Sequence, residues 1–186
     1  SETALNLLDT IKNKDGKTLK TAGAMDNLTG GEHPKLARRI DDLNVGDTVV
    51  QNNPEVFQQL LKDRNALGLK TTLYSCTGHI PGNFSLSAPA ENYWSILFAY
   101  KNGTTGFLRW AYDAWVEDPL RDTSHSSFEA GDCFLIFPDE KNVANPTAKS
   151  SIRLEKMAQG VRDVNKLMLM TEEFPQLQAD VDALLN

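Results

Sequence analysis

The chain has 186 residues, enough for one domain with a sizeable core, because single domains commonly contain about 100–200 residues. Its composition, 40% hydrophobic and 24% charged, is typical of globular chains and excludes a disordered one. A net charge of −6 without a cluster of Lys and Arg argues against a nucleic-acid partner. No apolar run approaches the roughly 20 residues that cross a bilayer, and no signal-peptide pattern opens the chain.

Apolar residues at helical spacing predict helices along the whole chain. Asn53 followed by Pro54 is a favourable helix start, because Asn caps a helix and Pro suits its first position. In chain order, the predicted helices are residues 2–14, residues 34–39, a helix from Pro54 that stops at Gly68, residues 90–100, a long amphipathic helix after Ser150-Ser151, and residues 175–185.

Strand candidates alternate with these helices. They are residues 19–25, the weaker 40–45, 69–76, 107–112 and the short apolar run 133–137. The alternation gives about four strand–helix units and predicts an α/β fold with a parallel sheet and crossover helices. We expect a single domain over residues 1–186, without an internal boundary. Such units make half of an eight-stranded barrel or a small open sheet, and no glycine-rich nucleotide loop follows any strand.

The sequence predicts neither a metal site nor a cofactor. Cys76 and Cys133 lack the spacing of zinc or redox motifs, so we expect two buried free thiols rather than a disulfide. His33, His79 and His125 lie in three separate loops, without a metal-ligand spacing or a paired nucleophile.

In parallel α/β folds, ligands bind at the carboxyl ends of the strands. Here those ends carry acids, amides and aromatic residues, in Asp26-Asn27 and in residues 41–44, 74–76 and 110–115. Aromatic rings bind the C–H face of a sugar while acids and amides take its hydroxyls. Trp110 and Tyr112 could equally be core residues on one strand face. Trp115, beyond the strand and beside Glu117-Asp118, is the better candidate for a pocket wall.

Adjacent acids deserve the same comparison, because a glycosidase needs two carboxyl groups flanking the scissile bond. The pairs are Asp41-Asp42, Glu117-Asp118 and Asp139-Glu140. Adjacent acids are common on protein surfaces, so the simpler interpretation of each pair is a solvated one.

A longer pattern is more specific. The run GFLRWAYDAWVEDPLRDTSHSSFEAGDCFLIFP, followed by SSIRLEKMAQGVRD, resembles the C-terminal part of the catalytic domain of glycoside hydrolase family 123. LYSCTGHIPGNF looks like the family's Tyr-x-Cys strand and the Pro and Asn loop after it. The similarity covers about residues 65–165 well and the first third loosely. It implies a (β/α)8 TIM-type barrel, of which this chain would cover roughly the C-terminal half, with about four βα units plus C-terminal helices.

The resemblance also implies an activity on glycans. Family members act as β-N-acetylgalactosaminidases that retain configuration by substrate assistance: the acetamido oxygen attacks the anomeric carbon, one acid orients the acetamido group, and a neighbouring Glu protonates the leaving oxygen. The family's consecutive Asp-Glu pair ends an earlier strand, and Ser1-Glu2-Thr3 stands about where the segment after that pair should start. Neither Asp41-Asp42 nor Asp139-Glu140 matches its context. We therefore expect no catalytic residue within the chain, and no activity of the isolated chain.

What the resemblance does transfer is the wall of the sugar pocket. Tyr74 matches the Tyr-x-Cys position and would contact the acetamido group. Trp110, Tyr112 and Trp115 match the aromatic cluster of the last strand and would enclose the sugar ring. Asn83 is a weaker candidate for a hydroxyl contact.

Three further matching residues, Arg153, Glu155 and Asp163, lie on a helix outside the barrel, where we expect structural ion pairs or caps. By resemblance, the partner is a glycan or amino sugar, and the location is secreted or periplasmic. The remaining N-terminal half of the barrel or a second copy of the chain are further candidate partners, because the first and last strands would leave open edges. The alternative function is a non-catalytic carbohydrate-binding or scaffold domain.

Overall fold

A computed structural model describes residues 1–76, 78–140 and 147–186 of a mixed α/β protein. Its helices are α1 (Glu2–Thr10), α2 (His33–Ala37), α3 (Asp47–Asn52), α4 (Pro54–Ala66), α5 (Pro89–Lys101), α6 (Ile152–Glu173) and α7 (Gln178–Leu185), with a 3-10 turn at Pro175–Leu177. Its strands are β1 (Ala22–Met25), β2 (Asp42–Gly46), β3 (Lys70–Tyr74), β4 (Phe137–Pro138) and β5 (Ala148–Lys149).

The described residues form two compact units. The first contains Ser1–Tyr74 and Asn102–Leu108, and the second contains Ser75–Lys101 and Arg109–Asn186. All the predicted helices are confirmed, with α1 ending earlier than expected. Helix α3 was not predicted; it is short, and Asp47 places a carboxylate in its first turn, where a negative charge suits the helix dipole. The single domain expected from the sequence stays a prediction.

A parallel sheet in the order β1-β2-β3 organises the first unit. The three predicted strands that form it are confirmed, each shorter than expected, and the weaker candidate is the central strand. Successive side chains of a strand point to opposite faces. One face of the sheet carries Leu43, Val45 and Leu73, all fully buried, while Asn44 and Thr72 lie on the other. The sheet therefore has an apolar face and a polar face.

Arg64 of α4 is completely buried and ties the helices of the first unit to the sheet. Its guanidinium donates to the backbone carbonyls of Ala37, Ile40 and Lys70, with the Ile40 bond at 2.8 Å, and its Nε donates to the Thr71 hydroxyl at 2.8 Å. Burial lowers the pKa of Arg64 below its ordinary value. The partners are uncharged oxygens, so the guanidinium charge is stabilised by carbonyl and hydroxyl dipoles and not by a carboxylate.

The predicted strand 107–112 is wrong over most of its length. Phe107 forms a parallel bridge with Leu73, and the Leu108 amide donates to the Leu73 carbonyl at 2.7 Å. No regular ladder continues beyond Leu108 in the described structure, and Arg109 begins a segment of the second unit. The apolar and aromatic run therefore pairs with β3 only at Phe107 and Leu108, and from Arg109 onward it is not part of this sheet.

The predicted strand 133–137 is also wrong for most of its residues. Only its last residue enters a strand, β4, which pairs antiparallel with β5. Cys133, Phe134 and Leu135 are buried, and the Leu135 amide donates to the Tyr112 carbonyl at 2.8 Å. These residues are apolar because they are buried in the core of the second unit, although they form no regular sheet.

Cys76 and Cys133 are not joined in a disulfide, as predicted; Cys133 is buried as expected, but Cys76 is only partly buried. In the second unit, α5 packs on α6 at Gly160, where an added Cβ would lie 2.9 Å from the Tyr93 carbonyl oxygen. Leu97 of α5 forms a core cluster with residues of α7. Within the described ranges, no helix is long and apolar enough to cross a membrane.

We predict that Arg64→Met lowers the free energy of unfolding by about 3 kcal/mol or more, because several buried carbonyls lose their donors at about 1–3 kcal/mol each. Arg39→Met is the control, since Arg39 pairs with the exposed Asp9 and should cost less than about 1 kcal/mol. Urea unfolding followed by circular dichroism measures both, and equal effects would contradict the role given to Arg64.

Candidate functional site

The carboxyl edge of the parallel sheet brings two polar side chains together over a glycine. Met25 lies beside Val45 and Gly46 beside Tyr74, so Asp26, the residue after β1, comes level with Gly46. Since Gly46 has no side chain, the Tyr74 hydroxyl reaches across and donates to the Asp26 carboxylate. The register of three strands thus builds a pair that is separated by 48 positions in the sequence.

Space at Gly46 is essential to this pair. An added Cβ would lie 2.6 Å from Asp26 Oδ1, closer than real Cβ contacts come. Two residues earlier on the same face, the Thr72 hydroxyl donates to Asn44 Oδ1, and Asn44 Nδ2 donates to the Gly23 carbonyl at 3.2 Å. The polar face of the sheet therefore continues from the Asn44–Thr72 pair to the edge.

The second unit carries the aromatic segment predicted to line a sugar pocket. Trp110, Tyr112 and Trp115 are 52%, 49% and 44% exposed, so the alternative that Trp110 and Tyr112 are core residues is wrong. The indole Nε1 of Trp110 donates to Asp132 Oδ2 at 3.2 Å, and that of Trp115 donates to the Ile136 carbonyl at 2.8 Å. Both indoles are anchored at their polar edges while much of each side chain stays exposed.

Asp132 is the anchor of this segment. It is buried, and its Oδ1 accepts from Arg109 Nη2 at 2.7 Å, while Oδ2 accepts from Trp110. The Arg109 guanidinium also donates to the Asp132 backbone carbonyl. Arg109 and Trp110 are neighbours in sequence, so one carboxylate orients two consecutive side chains.

Arg153 of α6 bonds to two loop segments of the second unit. Its buried guanidinium donates to the Asn83 carbonyl at 2.9 Å and to the Gly131 carbonyl at 2.6 Å. Burial and the neighbouring Arg109 lower the pKa of Arg153 to about 10, so the group remains charged at neutral pH. Gly131 has a positive φ of 77°, and a Cβ there would lie 2.1 Å from Ser85 Oγ, so only glycine fits.

Asn83, the weaker sugar-contact candidate, is fully buried. Its Nδ2 donates to Asn92 Oδ1 at 3.2 Å and to Ser95 Oγ at 3.1 Å, both on α5. These bonds fix the loop before α5, and a sugar contact by Asn83 stays a prediction.

Of the α6 residues expected to form ion pairs or caps, Asp163 pairs with Lys166 and Glu155 bonds to Ser150 before the helix start, whereas Arg153 donates to backbone carbonyls instead. Besides the contacts of Arg153, Asp163 accepts from the Tyr93 hydroxyl at 3.1 Å and from Lys166 at 3.0 Å. Glu155 accepts from the Ser150 hydroxyl at 2.6 Å.

Each adjacent pair has at least one acid in contact with a surface cation, and Lys20 contacts Asp41 at 2.7 Å. Arg121 contacts Asp118 at 2.9 Å and Glu140 at 3.1 Å, and Lys149 contacts Asp139 at 3.2 Å. Across the described ranges, no group of three or more His, Cys, Asp or Glu side chains could hold a metal ion.

Sequence reasoning noted Asp26 at a strand end but did not select it, and it did not consider Asp132 as a site residue. The position of Asp26 after β1 was a usable signal, but its partner depends on strand register. Asp132 lies in the Ala-Gly-Asp turn that carried part of the resemblance, yet the turn gives no indication that its carboxylate receives Arg109 and Trp110.

We predict that Gly46→Ala breaks the Asp26–Tyr74 bond while the fold persists, because the added methyl group displaces the movable end of Asp26. The expected loss of unfolding free energy is about 1–3 kcal/mol. The shift of the Tyr74 ring resonances in nuclear magnetic resonance spectra reports the broken bond.

Gly106→Ala is the matched control. A Cβ at Gly106 meets only Thr72 Cγ2, at an ordinary 3.6 Å, and the residue has no positive φ. We expect this substitution to stabilise the chain by about 0.4–1 kcal/mol. An unchanged Tyr74 environment in Gly46→Ala would show that the glycine is not needed for the pair.

The model of the glycoside hydrolase 123 catalytic domain matches residues 1–170. A structure of a family 123 glycoside hydrolase from Clostridium perfringens, determined to give the details of glycolipid glycan hydrolysis, is 37% identical, with a TM-score of 0.87 over 99% of this chain. The present chain spans 32% of that protein's chain. No curated protein matches the present chain. The chain belongs to glycoside hydrolase family 123.

Proposed function

We propose that this chain is part of a glycoside hydrolase that acts on glycans containing an N-acetylhexosamine, and that it supplies the sugar-binding wall. The proposal rests on the exposure and the hydrogen bonds of Trp110 and Trp115 in a family 123 chain. Both rings are about half exposed, and their indole N–H groups are bonded within the protein.

The physics of such rings favours a sugar ligand. Large exposed aromatic groups cost hydrophobic free energy unless a ligand covers them. With the polar edge of each indole already bonded, further contact falls to the apolar face, which matches the C–H face of a sugar ring. Anchoring also reduces the rotamer freedom that binding would otherwise remove. Tyr112, on the same segment and 49% exposed, adds a hydroxyl to the wall.

Tyr74 is proposed to contact the acetamido group of the substrate. Its hydroxyl donates to Asp26, which orients the phenol at the carboxyl edge of the sheet. A phenol oxygen can accept a hydrogen bond from an acetamido N–H. We assign no acid or base role to any residue of this chain: the retaining, substrate-assisted mechanism of the family would draw its Asp-Glu pair from outside these residues.

The same proposal concerns the fold and the partners. Three parallel strands, with Phe107 beginning a further parallel pairing beside β3, suit the C-terminal half of a (β/α)8 barrel. The polar side chains at the carboxyl edge lie where barrel enzymes bind their ligands. The remaining half of the barrel would complete the site, and a secreted or periplasmic location is proposed from the family alone.

We predict that isothermal titration calorimetry detects binding of N-acetylgalactosamine and that Trp115→Ala weakens it. Loss of one aromatic face is expected to reduce affinity by about two- to tenfold. Trp115→Phe keeps a ring and should retain more affinity than the alanine variant. Phe174→Ala removes a similarly exposed ring at the end of α6 and should bind as the unmodified chain does. If no amino sugar produced heat on titration, the proposal that these aromatic residues bind a sugar would be wrong.

We also predict that the isolated chain does not hydrolyse a chromogenic N-acetylgalactosaminide, because the acid pair is proposed to lie outside it. Product release is followed by absorbance over hours. Turnover that disappears in Glu117→Gln or Asp118→Asn would overturn this prediction and place the acids within the chain.

A further inference from the structure

The segment between α1 and β1 folds back on itself as a short hairpin. Lys12 pairs with Thr18 in an isolated antiparallel bridge, and the Asn13 amide donates to the Lys17 carbonyl at 2.9 Å. Inside the turn, Asn13 Oδ1 accepts from the amides of Asp15 and Lys17, at 2.9 and 3.0 Å. The turn is therefore held by its own backbone and by one asparagine side chain, which leaves its other side chains available for contacts outside the chain.

The hairpin collects four exposed lysines that are separated in the sequence, namely Lys12, Lys14, Lys17 and Lys20. Lys20 contacts Asp41 at 2.7 Å, whereas in the described ranges no carboxylate lies within salt-bridge distance of the other three lysines. Asp15 is the single acid between Lys12 and Lys20. The hairpin therefore carries a local excess of positive charge in a chain whose net charge is −6.

Exposed aliphatic side chains accompany these lysines. Leu7 and Ile11, four positions apart at the end of α1, lie on one side of the helix and are 64% and 45% exposed. Leu19, in the second arm of the hairpin, is 51% exposed. Arg39 holds α1 through Asp9, at 2.7 Å, and Asp9 lies about half a turn away from Leu7. The contact that fixes α1 thus leaves its apolar side facing outward.

The combination of lysines with exposed aliphatic groups selects the kind of partner. An anionic lipid surface attracts lysines by its negative potential, and its acyl boundary takes up aliphatic side chains. A nucleic acid or a sulfated polysaccharide would attract the lysines but leave the leucine and isoleucine side chains uncovered. Recognition of phosphate and sulfate groups in such polymers also favours arginine, and residues 11–20 contain neither an arginine nor an aromatic ring. An anionic lipid surface therefore fits best.

We propose that Leu7 and residues 11–20, together called the hairpin surface, dock this chain on a membrane surface that contains anionic lipids. The lysine ammonium groups donate to lipid phosphates, and the exposed aliphatic side chains enter the acyl boundary. Salt screens charges beyond about 8 Å, so the acidic remainder of the chain opposes docking less than its net charge suggests.

Docking at this place would leave the candidate site open. The hairpin precedes β1 and lies at the amino edge of the parallel sheet, whereas Asp26 follows β1 at the carboxyl edge, where it meets Tyr74. A lipid surface against the hairpin thus does not cover the Asp26–Tyr74 pair. The inference goes beyond the proposed function and does not depend on it.

The test is cosedimentation of the 186-residue chain with vesicles of phosphatidylcholine, prepared with and without phosphatidylglycerol. We expect binding to the vesicles that contain phosphatidylglycerol and little binding to the others. Lys14→Gln combined with Lys17→Gln should weaken binding about 25-fold, because each lysine near an anionic surface contributes about fivefold. Leu19→Ser should weaken binding by about three- to tenfold, and this loss should persist at high salt because it removes an apolar contact.

Lys35→Gln combined with Lys62→Gln is the matched control, because it changes the net charge equally at two exposed lysines of α2 and α4. It should alter vesicle binding by less than about twofold. An equal loss in both double variants would show that net charge alone matters and would overturn the hairpin surface. Equal binding to the two kinds of vesicle, or to neither, would overturn it as well.

A soluble sulfated polysaccharide, heparin, distinguishes the remaining partner. If the chain bound heparin but not the vesicles, the lipid assignment would be wrong. Circular dichroism of each variant confirms that the fold persists, as expected for exposed side chains. Since the vesicles carry no glycan, a negative result would leave the proposed sugar-binding wall intact, and failure of the sugar titrations would leave the hairpin surface intact.

Discussion

The buried Asp132 carboxylate is the interaction on which the aromatic wall depends. It accepts hydrogen bonds from Arg109 and Trp110. Burial and the nearby charge of Arg109 lower the pKa of Arg153. Two guanidinium groups and one carboxylate would leave a buried excess of positive charge, which is costly unless polar groups compensate for it. The carbonyls of Asn83 and Gly131 provide that compensation at Arg153. The Arg153 guanidinium that fixes the Asn83 loop and the Gly131 turn therefore belongs to the same group of buried charges as the Asp132 carboxylate that orients Trp110.

A different constraint acts at the edge of the parallel sheet. There the requirement is space: Tyr74 and Asp26 meet because the central strand ends in Gly46. The pair rests on a polar face that begins with Asn44 and Thr72, while the opposite face is buried and apolar. A rigid sheet with one polar face can hold a phenol and a carboxylate in fixed positions, and such preorganisation reduces the entropy lost when a ligand binds.

Much of the fold could be predicted because it follows from local patterns. Apolar spacing with caps, such as Ser151 before α6, marks helices, and short β-branched or apolar runs mark the parallel strands. The strand expected at residues 133–137 failed because burial outside a sheet produces the same apolar run as a strand. The strand expected at residues 107–112 failed because Trp110 and Tyr112 are exposed aromatic residues outside any ladder. Tyr74 and the aromatic residues could be selected through a family pattern. Asp26 and Asp132 could not, since each acquires its partner through strand register or through a turn closed by residues far along the chain.

Trp110 links the buried charges to the exposed aromatic residues. Its indole N–H is anchored on Asp132, and its ring contacts Phe128. A change at Asp132 would therefore disturb the wall, because it releases the Trp110 ring and leaves Arg109 without its carboxylate. A change at Phe128 removes one ring contact of Trp110 while the anchored edge stays in place, so its effect on the wall should be smaller. This asymmetry follows from the order of the contacts, in which the buried charge fixes Trp110 and Trp110 in turn supports the exposed rings.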